Sequence, residues 1–247
     1  MWPMKTKQLY LSDSYTRETD AAILEVIPEN GIRYRLLLDQ TVFYPMGGGQ
    51  PTDQGTLISS THSMNVYQVV MKDGEIWHYV ETDVAPVVGE TVHGTINWER
   101  RFLNMRLHSG GHVVDFALYM LGYSPKLLVP TKGDHGKKPF IVYTGVLGKE
   151  FAVELEKKAN ELIASRLKFT TEIVSLDVLG KDAIYLQPGL PTNKPLRRLT
   201  LEGVGSVADG GTQVANTGEV GHITITSVSE KDGLTTVSYQ VSDPLSV

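Results

Sequence analysis

Two histidines four residues apart could share a metal ion. His108 and His112 fall within residues 98–122, whose apolar spacing predicts a helix that ends at Gly122. A separation of four residues puts both imidazoles on one face of a helix, about one turn apart, where they can bind the same zinc ion. Two unrelated histidines would give the same short pattern. The HxxxH motif therefore marks a candidate metal site that needs further ligands.

A loop near the end of the chain offers a second pair of candidate ligands. Residues 208–221 read ADGGTQVANTGEVG and place Asp209 and Gln213 four positions apart. Aspartate is a common oxygen ligand for zinc, whereas the amide oxygen of glutamine is a weak and uncommon one. Taken alone, a loop of this kind is more often a structural turn than a metal site.

Two glycine runs mark places where the backbone could meet another group. The first is a run of three glycines before a glutamine: Gly47, Gly48, Gly49 and Gln50. Its backbone N–H groups could face a ligand or an anion, although a flexible turn is the simpler explanation. No P-loop lysine follows, so a nucleoside triphosphate site is not expected. Gly110 and Gly111, inside the predicted helix, cost about 1 kcal/mol each, and they indicate either a bulky neighbour or close packing on a sheet.

The composition excludes several classes of protein and of functional site. The 247 residues contain no cysteine, which excludes disulfides, thiolate metal ligands and a cysteine nucleophile. A net charge of −5 argues against non-specific coating of nucleic acid, so any RNA contact must be local. No apolar stretch approaches the roughly 18 residues of a membrane span, and the first residues lack the pattern of a signal peptide. We expect a cytoplasmic protein.

The elements that must position these residues fall into two parts. Residues 1–95 are rich in short predicted strands, including a hairpin, and predict a small barrel or a sandwich. Residues 96–247 begin with the helix of the HxxxH motif and continue with a clear amphipathic helix and several strand candidates. This mixture predicts an α+β domain in which helices pack on an antiparallel sheet. Residues 131–139 predict an exposed, mobile loop.

Taken in order, the motifs resemble those of the AlaX-type alanyl-tRNA editing proteins, relatives of the editing domain of alanyl-tRNA synthetase. The resemblance rests on FYPMGGGQPTDQGTL, DGEIWHYVE, INWERRFLNMRLHSGGHVVDF, NELI and DGGTQVANTGEVG, and it runs from about Leu9 to about Val228. The chain looks like the medium-length form of the family. The resemblance therefore implies an N-terminal β-barrel domain over residues 1–95 and an α+β editing domain over residues 96–247.

The family holds zinc with two motifs, HxxxH and CxxxH, and the second motif is altered in this chain. His108 and His112 preserve HxxxH, whereas Asp209 stands in place of the cysteine and Gln213 in place of the second motif's histidine. The two histidines and Asp209 form a common zinc set, with Gln213 as a weak fourth ligand or a supporting group. The alternative is a metal-free site in which Asp209 pairs with a histidine that acts as a general base. In either case the predicted catalytic residues are His108, His112 and Asp209.

The resemblance also implies an activity and a partner. The family hydrolyses the ester between tRNA for alanine and a wrong amino acid, so the chain is expected to be an aminoacyl-tRNA deacylase that acts on seryl- or glycyl-tRNA. The predicted substrate-binding residues lie in the glycine-rich motifs: Gly47, Gly48, Gly49, Gln50, Gly211, Thr212 and Asn216. The alternative is a non-catalytic descendant of the editing fold that binds tRNA or another partner. A metallopeptidase is not expected, because Ser109 replaces the glutamate of HExxH.

Nine basic side chains are candidates for local contact with tRNA. For any one of them, ordinary solvated charge is the simpler explanation. We expect such binding to weaken as the salt concentration rises. The nine residues are Arg100, Arg101, Arg106, Lys132, Lys137, Lys138, Lys194, Arg197 and Arg198.

Overall fold

The computed structural model describes residues 6–123, 129–148 and 150–242. The chain forms two compact units, Met1–Asn104 and Met105–Val247, and the division falls inside one long helix, α1 (Trp98–Met120). The domain boundary between residues 95 and 96 stays a prediction. The predicted α+β fold class, with a small barrel in the first part of the chain, is confirmed.

The N-terminal unit is built around a closed antiparallel barrel. Its described strands are β1 (Lys7–Gln8), β2 (Glu18–Pro28), β3 (Arg33–Leu38), β4 (Gln40–Thr41), β5 (Gly55–Ile58), β6 (Ser63–Lys72), β7 (Glu75–Glu81) and β8 (Thr91–Ile96). The strands pair around the barrel in the order β2-β3-β7-β6-β5-β8. The short strands β1 and β4 pair in parallel, and a 3-10 helix, Leu9–Leu11, follows β1.

Alternation of buried and half-buried side chains explains how the barrel forms. In β7, Ile76, His78 and Val80 are buried, and the residues between them are half-buried. This is expected when every second side chain points into a closed barrel. Asp73 and Gly74 connect β6 to β7 with φ angles of 55° and 81°. Such positive values are typical of the primed turns that join antiparallel strands, so the predicted hairpin is confirmed.

A buried ion pair joins the start of α1 to the loops of the same unit. The guanidinium of Arg101 is fully buried and binds Asp53, with Nε 2.9 Å from Oδ2. Arg101 also donates to the carbonyl oxygens of Ser14 and Val42. Asp53 accepts a further hydrogen bond of 2.7 Å from the N–H of Tyr44. Because Arg101 is buried and paired, its prediction as an RNA contact is wrong.

The C-terminal unit combines two sheets with helices. Besides most of α1, its described elements are β9 (Pro130–Asp134), β10 (Phe140–Thr144), α2 (Phe151–Ala164), β11 (Phe169–Val174), α3 (Leu176–Leu179), β12 (Leu196–Leu201), β13 (Gly205–Ala208), a 3-10 helix (Thr217–Val220), β14 (Ile223–Lys231) and β15 (Leu234–Val241). One antiparallel sheet has the order β14-β15-β10-β9, and the other has the order β11-β12-β13.

Helix α1 packs closely on the four-stranded sheet. A Cβ atom at Gly110 would lie 3.1 Å from Cγ1 of Val241 and 3.5 Å from the ring of Tyr239, both on β15. Packing against a sheet therefore explains Gly110. Of the apolar face predicted for helix α2, Phe151, Leu155, Ala159 and Leu162 are buried, whereas Ile163 is only half-buried. In the described ranges, none of the helices is long and apolar enough to cross a bilayer.

Residues 131–134 form a strand and not the loop that their composition predicts, although Thr131, Lys132 and Asp134 are exposed as expected. They belong to β9, which pairs with β10 and places Gly133 opposite Ile141. His135, immediately after β9, is only 6% exposed. The prediction is wrong here because strand pairing and the burial of His135 depend on partners distant in the sequence, which local composition does not reveal.

His78 lies inside the barrel as a neutral imidazole. Its Nε2 atom is 2.7 Å from Oγ1 of Thr41, and its Nδ1 atom is 3.4 Å from the carbonyl oxygen of Leu36. Burial lowers the pKa of His78 to about 4, and the contact with the Leu36 carbonyl offsets only part of this effect. At neutral pH the barrel therefore contains an uncharged histidine that resists protonation.

We predict that this histidine makes the protein less stable in weak acid. Below about pH 6.5, His78 of the unfolded chain binds a proton that the folded chain, with a pKa of about 4, does not bind. The free energy of unfolding must then fall as the pH falls, and it levels off below about pH 4. Between pH 7 and pH 5 this single group accounts for a loss of about 2 kcal/mol. Urea unfolding of His78→Gln should show a pH-dependent loss smaller by that amount.

His93→Gln is a matched control on the same barrel. The imidazole of His93 is partly exposed, and its hydrogen bond with Asp20 raises its pKa. A raised pKa in the folded state stabilises the fold at low pH and loses that effect as the pH rises. His93→Gln should therefore steepen the loss of stability in acid, whereas His78→Gln should flatten it. Equal pH slopes for wild type and His78→Gln would contradict the assignment.

Candidate functional site

The structure brings His108, His112 and Asp209 together in the C-terminal unit. The two histidines lie one turn apart on α1, and Asp209 directly follows β13. Oδ1 of Asp209 is 3.3 Å from Nε2 of His108 and 3.6 Å from Nε2 of His112. All three side chains are less than a tenth exposed. The helical spacing predicted for the histidines is confirmed, and a carboxylate lies against both of them.

Donors from the surrounding loop and β12 hold the carboxylate of Asp209 in place. The N–H of Gly211 donates to Oδ1 at 3.1 Å, and Nε2 of Gln213 donates to Oδ2 at 2.9 Å. Arg197, on β12, lies 3.4 Å from Oδ2 and also donates to the carbonyl oxygen of Gly211 at 2.7 Å. The loop thus positions Asp209 and surrounds its charge with donors.

Gln213 presents its amide nitrogen, not its oxygen, to Asp209. An ionised carboxylate only accepts hydrogen bonds, so the group that contacts Oδ2 must be the NH₂. The amide oxygen of Gln213 accepts a hydrogen bond of 2.6 Å from the hydroxyl of Ser109. Ser109 Oγ in turn accepts the N–H of Val214 at 3.0 Å. Gln213 therefore links α1 to Asp209 through both ends of its side chain.

Asp115 fixes the orientation of His112 from the opposite side. Its carboxylate accepts hydrogen bonds from the phenols of Tyr143, at 2.6 Å, and Tyr185, at 2.8 Å. Nδ1 of His112 lies 3.3 Å from Oδ2 of the same carboxylate. Because Asp115 accepts from its neighbours, Nδ1 of His112 carries the hydrogen, and Nε2 faces Asp209. The sequence shows Asp115 on the same helical face, but not its two tyrosines.

His135 is a third buried histidine at the site, and the sequence analysis missed it. Its ring stacks on that of His108 with centroids 4.5 Å apart. Nδ1 of His135 is 2.7 Å from the hydroxyl of Tyr239, which donates to the carbonyl oxygen of Leu107 at 2.8 Å. The hydroxyl therefore accepts from His135, and Nδ1 of that ring carries the hydrogen. No local pattern in residues 131–139 indicates this role.

The charges of the site are balanced within a buried cluster. Burial would raise the pKa of Asp209, but His108, His112 and Arg197 outweigh burial and hold its pKa well below the usual range. Burial lowers the pKa of His108 well below its ordinary value and lowers that of His135 to about 4. Burial also acts to lower the pKa of His112, but Asp115 and Asp209 outweigh it and raise that pKa to about 9. A proton on His112 can therefore balance the charge of Asp209.

The donor set also fits a zinc ion. One ligand atom from each of His108, His112 and Asp209 lies within 4.8 Å of the other two. Tetrahedral bonds of about 2.0–2.1 Å put ligand atoms roughly 3.3–3.4 Å apart. The distances from Oδ1 of Asp209 to the two histidine nitrogens, 3.3 Å and 3.6 Å, are close to this value. Within the described ranges, Nε2 of His112 has no hydrogen-bond partner. Asp115 lies next to Nδ1 of His112, and a carboxylate in that position is common where a histidine binds zinc through its other nitrogen.

The predicted substrate-binding residues divide between the two units. Gly47, Gly48, Gly49 and Gln50 belong to the N-terminal unit, where Gly47 and Gln50 exchange two backbone hydrogen bonds across a tight turn. Gly48 and Gly49 have φ angles of 55° and 79°, which such a turn requires. The turn alone explains the glycines, and their role in binding stays a prediction.

The other predicted binding residues lie in the loop of the C-terminal unit. Gly211 and Thr212 are buried next to Asp209, and Gly211 donates to it. The side chain of Asn216 accepts the N–H of Gly218 and donates to Glu219, so it caps the 3-10 helix Thr217–Val220. These contacts give Gly211 and Asn216 structural functions, and a role in substrate binding stays a prediction for all three residues.

Several of the basic residues predicted to contact RNA are already paired. Arg106 is buried, with Nε donating to the carbonyl oxygen of Val220 at 3.1 Å, and Arg197 is buried next to Asp209. Arg198 binds Glu172 and Asp182. For Arg106 and Arg197 the prediction is wrong, because their guanidinium groups hold the fold and the site together. Lys132, Lys137 and Lys138 are exposed.

Comparison with known proteins finds similarity to synthetases over part of their length. Residues 15–100 match the family of tRNA synthetases class II (A). The chain is similar to an alanine–tRNA ligase of Halobacterium salinarum, with 32% identity over 95% of this chain and 26% of the ligase. It is also similar to an alanine–tRNA ligase of Ignicoccus hospitalis, with 34% identity over 95% of this chain and 26% of the ligase. The chain thus spans about a quarter of the ligases that it matches.

A shorter relative matches along almost its whole length. The alanyl-tRNA editing protein AlaX-M of Saccharolobus solfataricus is 31% identical over 92% of this chain and 94% of that protein. The chain belongs to the AlaX-M family of alanyl-tRNA editing proteins. The family resemblance predicted from the motifs is therefore confirmed.

We predict that Gly111 is essential to this arrangement. A Cβ atom at Gly111 would lie 2.5 Å from Cε1 of His135 and 2.9 Å from the hydroxyl of Tyr239. The Gly111→Ala variant must displace the stacked histidine, which should lower the free energy of unfolding by about 1–3 kcal/mol. Chemical denaturation measures this loss, and chemical shifts of His135 report the displacement.

Gly210→Ala is the matched control in the Asp209 loop. No atom lies within 4 Å of the Cβ position of Gly210 within the described ranges. The free energy of unfolding of this variant should lie within about 0.5 kcal/mol of the wild-type value. If Gly111→Ala were equally well tolerated, the close approach of His135 to α1 would be refuted.

Proposed function

We propose that this chain is a trans-editing hydrolase that cleaves the ester between a wrong amino acid and tRNA for alanine. The supporting observation is the buried cluster of His108, His112 and Asp209, with contacts of 3.3 Å and 3.6 Å, in a chain of the AlaX-M family. Seryl- and glycyl-tRNA are the proposed substrates. The reaction adds water across the ester and releases the free amino acid and the tRNA.

The proposed substrates follow from the limits of size discrimination. A pocket built for alanine cannot exclude the smaller glycine by steric clash, and serine adds only one hydroxyl. Such small differences in the substrate change binding by only about 1–3 kcal/mol. A separate hydrolytic site must then deacylate the mischarged tRNAs.

We further propose that His108, His112 and Asp209 hold zinc. Bound there, zinc would supply a positive charge that grips the amino acid or polarises the attacking water. The spacing of the three ligand atoms supports this assignment, as does Nε2 of His112, which faces Asp209 at 3.6 Å without a hydrogen bond in the described ranges. Asp209 contributes negative charge to the site. The contacts of Gln213 favour a supporting role over that of a fourth ligand, because its amide oxygen accepts from Ser109 and its NH₂ donates to Asp209.

Deacylation assays on variants test the hydrolase. Wild type should hydrolyse seryl- or glycyl-tRNA for alanine and largely spare alanyl-tRNA. Asp209→Ala should lower the rate by at least about 100-fold, because it removes the charge that faces both histidines. Gln213→Ala should cost roughly tenfold, because it removes only a group that orients Asp209. Release of labelled amino acid under single-turnover conditions gives the rates.

The same assay separates the hydrolase from a binding module. If wild type binds tRNA but both mischarged tRNAs are hydrolysed no faster than in buffer alone, the result would favour a non-catalytic descendant of the fold. A larger loss for Gln213→Ala than for Asp209→Ala would reverse the proposed roles of the two residues. Gly210→Ala, expected to be neutral for folding, controls for general effects of changing the loop.

Zinc affinity tests the metal site independently of activity. Asp115→Asn should lower zinc affinity about 10- to 100-fold, because the carboxylate that orients His112 is lost while side-chain volume is kept. Asp209→Cys combined with Gln213→His should raise zinc affinity, because thiolate and imidazole are stronger zinc donors than carboxylate and amide. Competition with a chromophoric chelator measures both, and the unfolding midpoint checks that each variant folds.

Tyr119→Phe provides the control for Asp115→Asn. Tyr119 lies on the same helix, one turn beyond Asp115, but is 42% exposed, so the zinc affinity of this variant should equal that of wild type. Wild type that retains no zinc under conditions in which the double variant, Asp209→Cys with Gln213→His, is loaded would favour the metal-free alternative. Equal zinc affinities of wild type and Asp115→Asn would show that Asp115 does not support zinc binding.

A further inference from the structure

Arg166 adopts a backbone conformation that usually belongs to glycine. It follows Ser165, the C-terminal cap of α2, and has a φ angle of 50°. Helices often end with a left-handed residue at this position, and glycine is the usual choice because other residues crowd their own Cβ there. Its N–H donates to the carbonyl oxygen of Ile163 at 3.1 Å, as the end of a helix requires. The backbone gains nothing from arginine at this position, so its side chain is the feature to explain.

The side chain of Arg166 lies across the 3-10 helix Thr217–Val220. A Cβ atom at Gly218 would be 3.0 Å from Cγ of Arg166 and 3.4 Å from its Cζ. Any other residue at 218 would therefore push the arginine aside by a few tenths of an ångström. Arg166 is exposed, and across the described ranges its guanidinium has no hydrogen bond or ion pair. The fold thus holds a free positive charge in a defined place.

Arg166 lines a groove with a volume of about 290 Å³. Ile163 and Ala164 of α2 give it an apolar wall, and exposed His222 provides an imidazole next to Gly221. A guanidinium, an imidazole and an apolar wall are the groups on which single-stranded RNA stacks its bases and pairs its phosphates. A ligand with both phosphate and base would use all three.

The groove and the candidate catalytic site share their supporting elements. Nε of Arg106, on α1 two residues before His108, donates to the carbonyl oxygen of Val220 at 3.1 Å. Gly110 lies between the two site histidines. A Cβ atom at Gly110 would be 3.5 Å from Cγ1 of Val220, so this part of α1 packs closely on the 3-10 helix. The loop that carries Asp209 continues directly into the 3-10 helix. An RNA strand in the groove would therefore lie against the same loop and helix that position the site.

We propose that this groove binds the single-stranded acceptor end of the tRNA substrate, with Arg166 on a phosphate and His222 stacked on a base. The proposal rests on the proposed function and deepens it by naming a surface for the RNA. It assigns the nucleic-acid contact to a specific groove of the C-terminal unit instead of to the dispersed lysines. It also explains why an arginine occupies a position that favours glycine.

Arg166→Gly tests the proposal because its effects on folding and on binding should be opposite. Glycine suits the left-handed conformation, so the unfolding midpoint should stay equal or rise. Affinity for deacylated tRNA for alanine should fall about tenfold at 50 mM salt, and the slope of log affinity against log salt should decrease by roughly 0.7. His222→Ala should weaken binding at least about fivefold without changing that slope, since stacking carries no charge.

Lys157→Ala is the matched control for charge. Lys157 is exposed on α2, and its loss changes the net charge by the same amount, so the affinity and salt slope of this variant should stay close to those of wild type. If Arg166→Gly binds tRNA as wild type does, while wild type still hydrolyses mischarged tRNA, the groove proposal is overturned and the proposed function stands. If wild type neither binds nor hydrolyses these tRNAs, both fall together.

Discussion

A buried carboxylate must be compensated, and this requirement organises the candidate site. The Asp209 side chain is only 6% exposed, and an unpaired charge at that depth would cost several kcal/mol. The structure surrounds it with the N–H of Gly211, the amide of Gln213, the guanidinium of Arg197 and two imidazoles. These groups come from α1, β12 and the Asp209 loop. The need to neutralise one charge therefore links three distant parts of the chain and fixes where the histidines face.

The histidines are in turn held by groups that the HxxxH motif does not contain. The carboxylate of Asp115 faces Nδ1 of His112 and so keeps the hydrogen on that nitrogen. The hydroxyls of Tyr143 and Tyr185 donate hydrogen bonds that fix Asp115 in place. Burial raises the pKa of both phenols well above the ordinary value, so they remain donors. Nε2 of His112 is then available to a proton or a metal ion. Either cation balances Asp209, which is why the same geometry accommodates the zinc-bound and the metal-free alternatives.

The sequence predicted the parts of the structure that depend on local spacing. The helix of His108 and His112, the buried face of α2 and the hairpin at Asp73-Gly74 follow from periodicity and turn chemistry. The contribution of His135 could not be predicted, because its burial depends on Gly111 and Tyr239, which lie 24 and 104 positions away. Arg101 was misassigned for the same reason: its partner Asp53 is 48 residues distant. Charged residues look alike in a sequence whether solvent or a buried partner surrounds them.

The motif resemblance implies that Asp209 and Gln213 replace the cysteine and the histidine of CxxxH, and the contact between them links the two positions as a pair. A thiolate has a single donor atom, whereas a carboxylate has two, and the second oxygen needs its own hydrogen-bond donors when buried. Nε2 of Gln213 supplies one to Oδ2 at 2.9 Å. Cysteine alone at 209 would exchange the carboxylate acceptor of the Gln213 amide for sulfur, a weak acceptor, and histidine alone at 213 would remove the amide that links Asp209 to Ser109. Each single change disturbs a contact that the other residue makes, so we expect the effects of the two substitutions on stability to be non-additive.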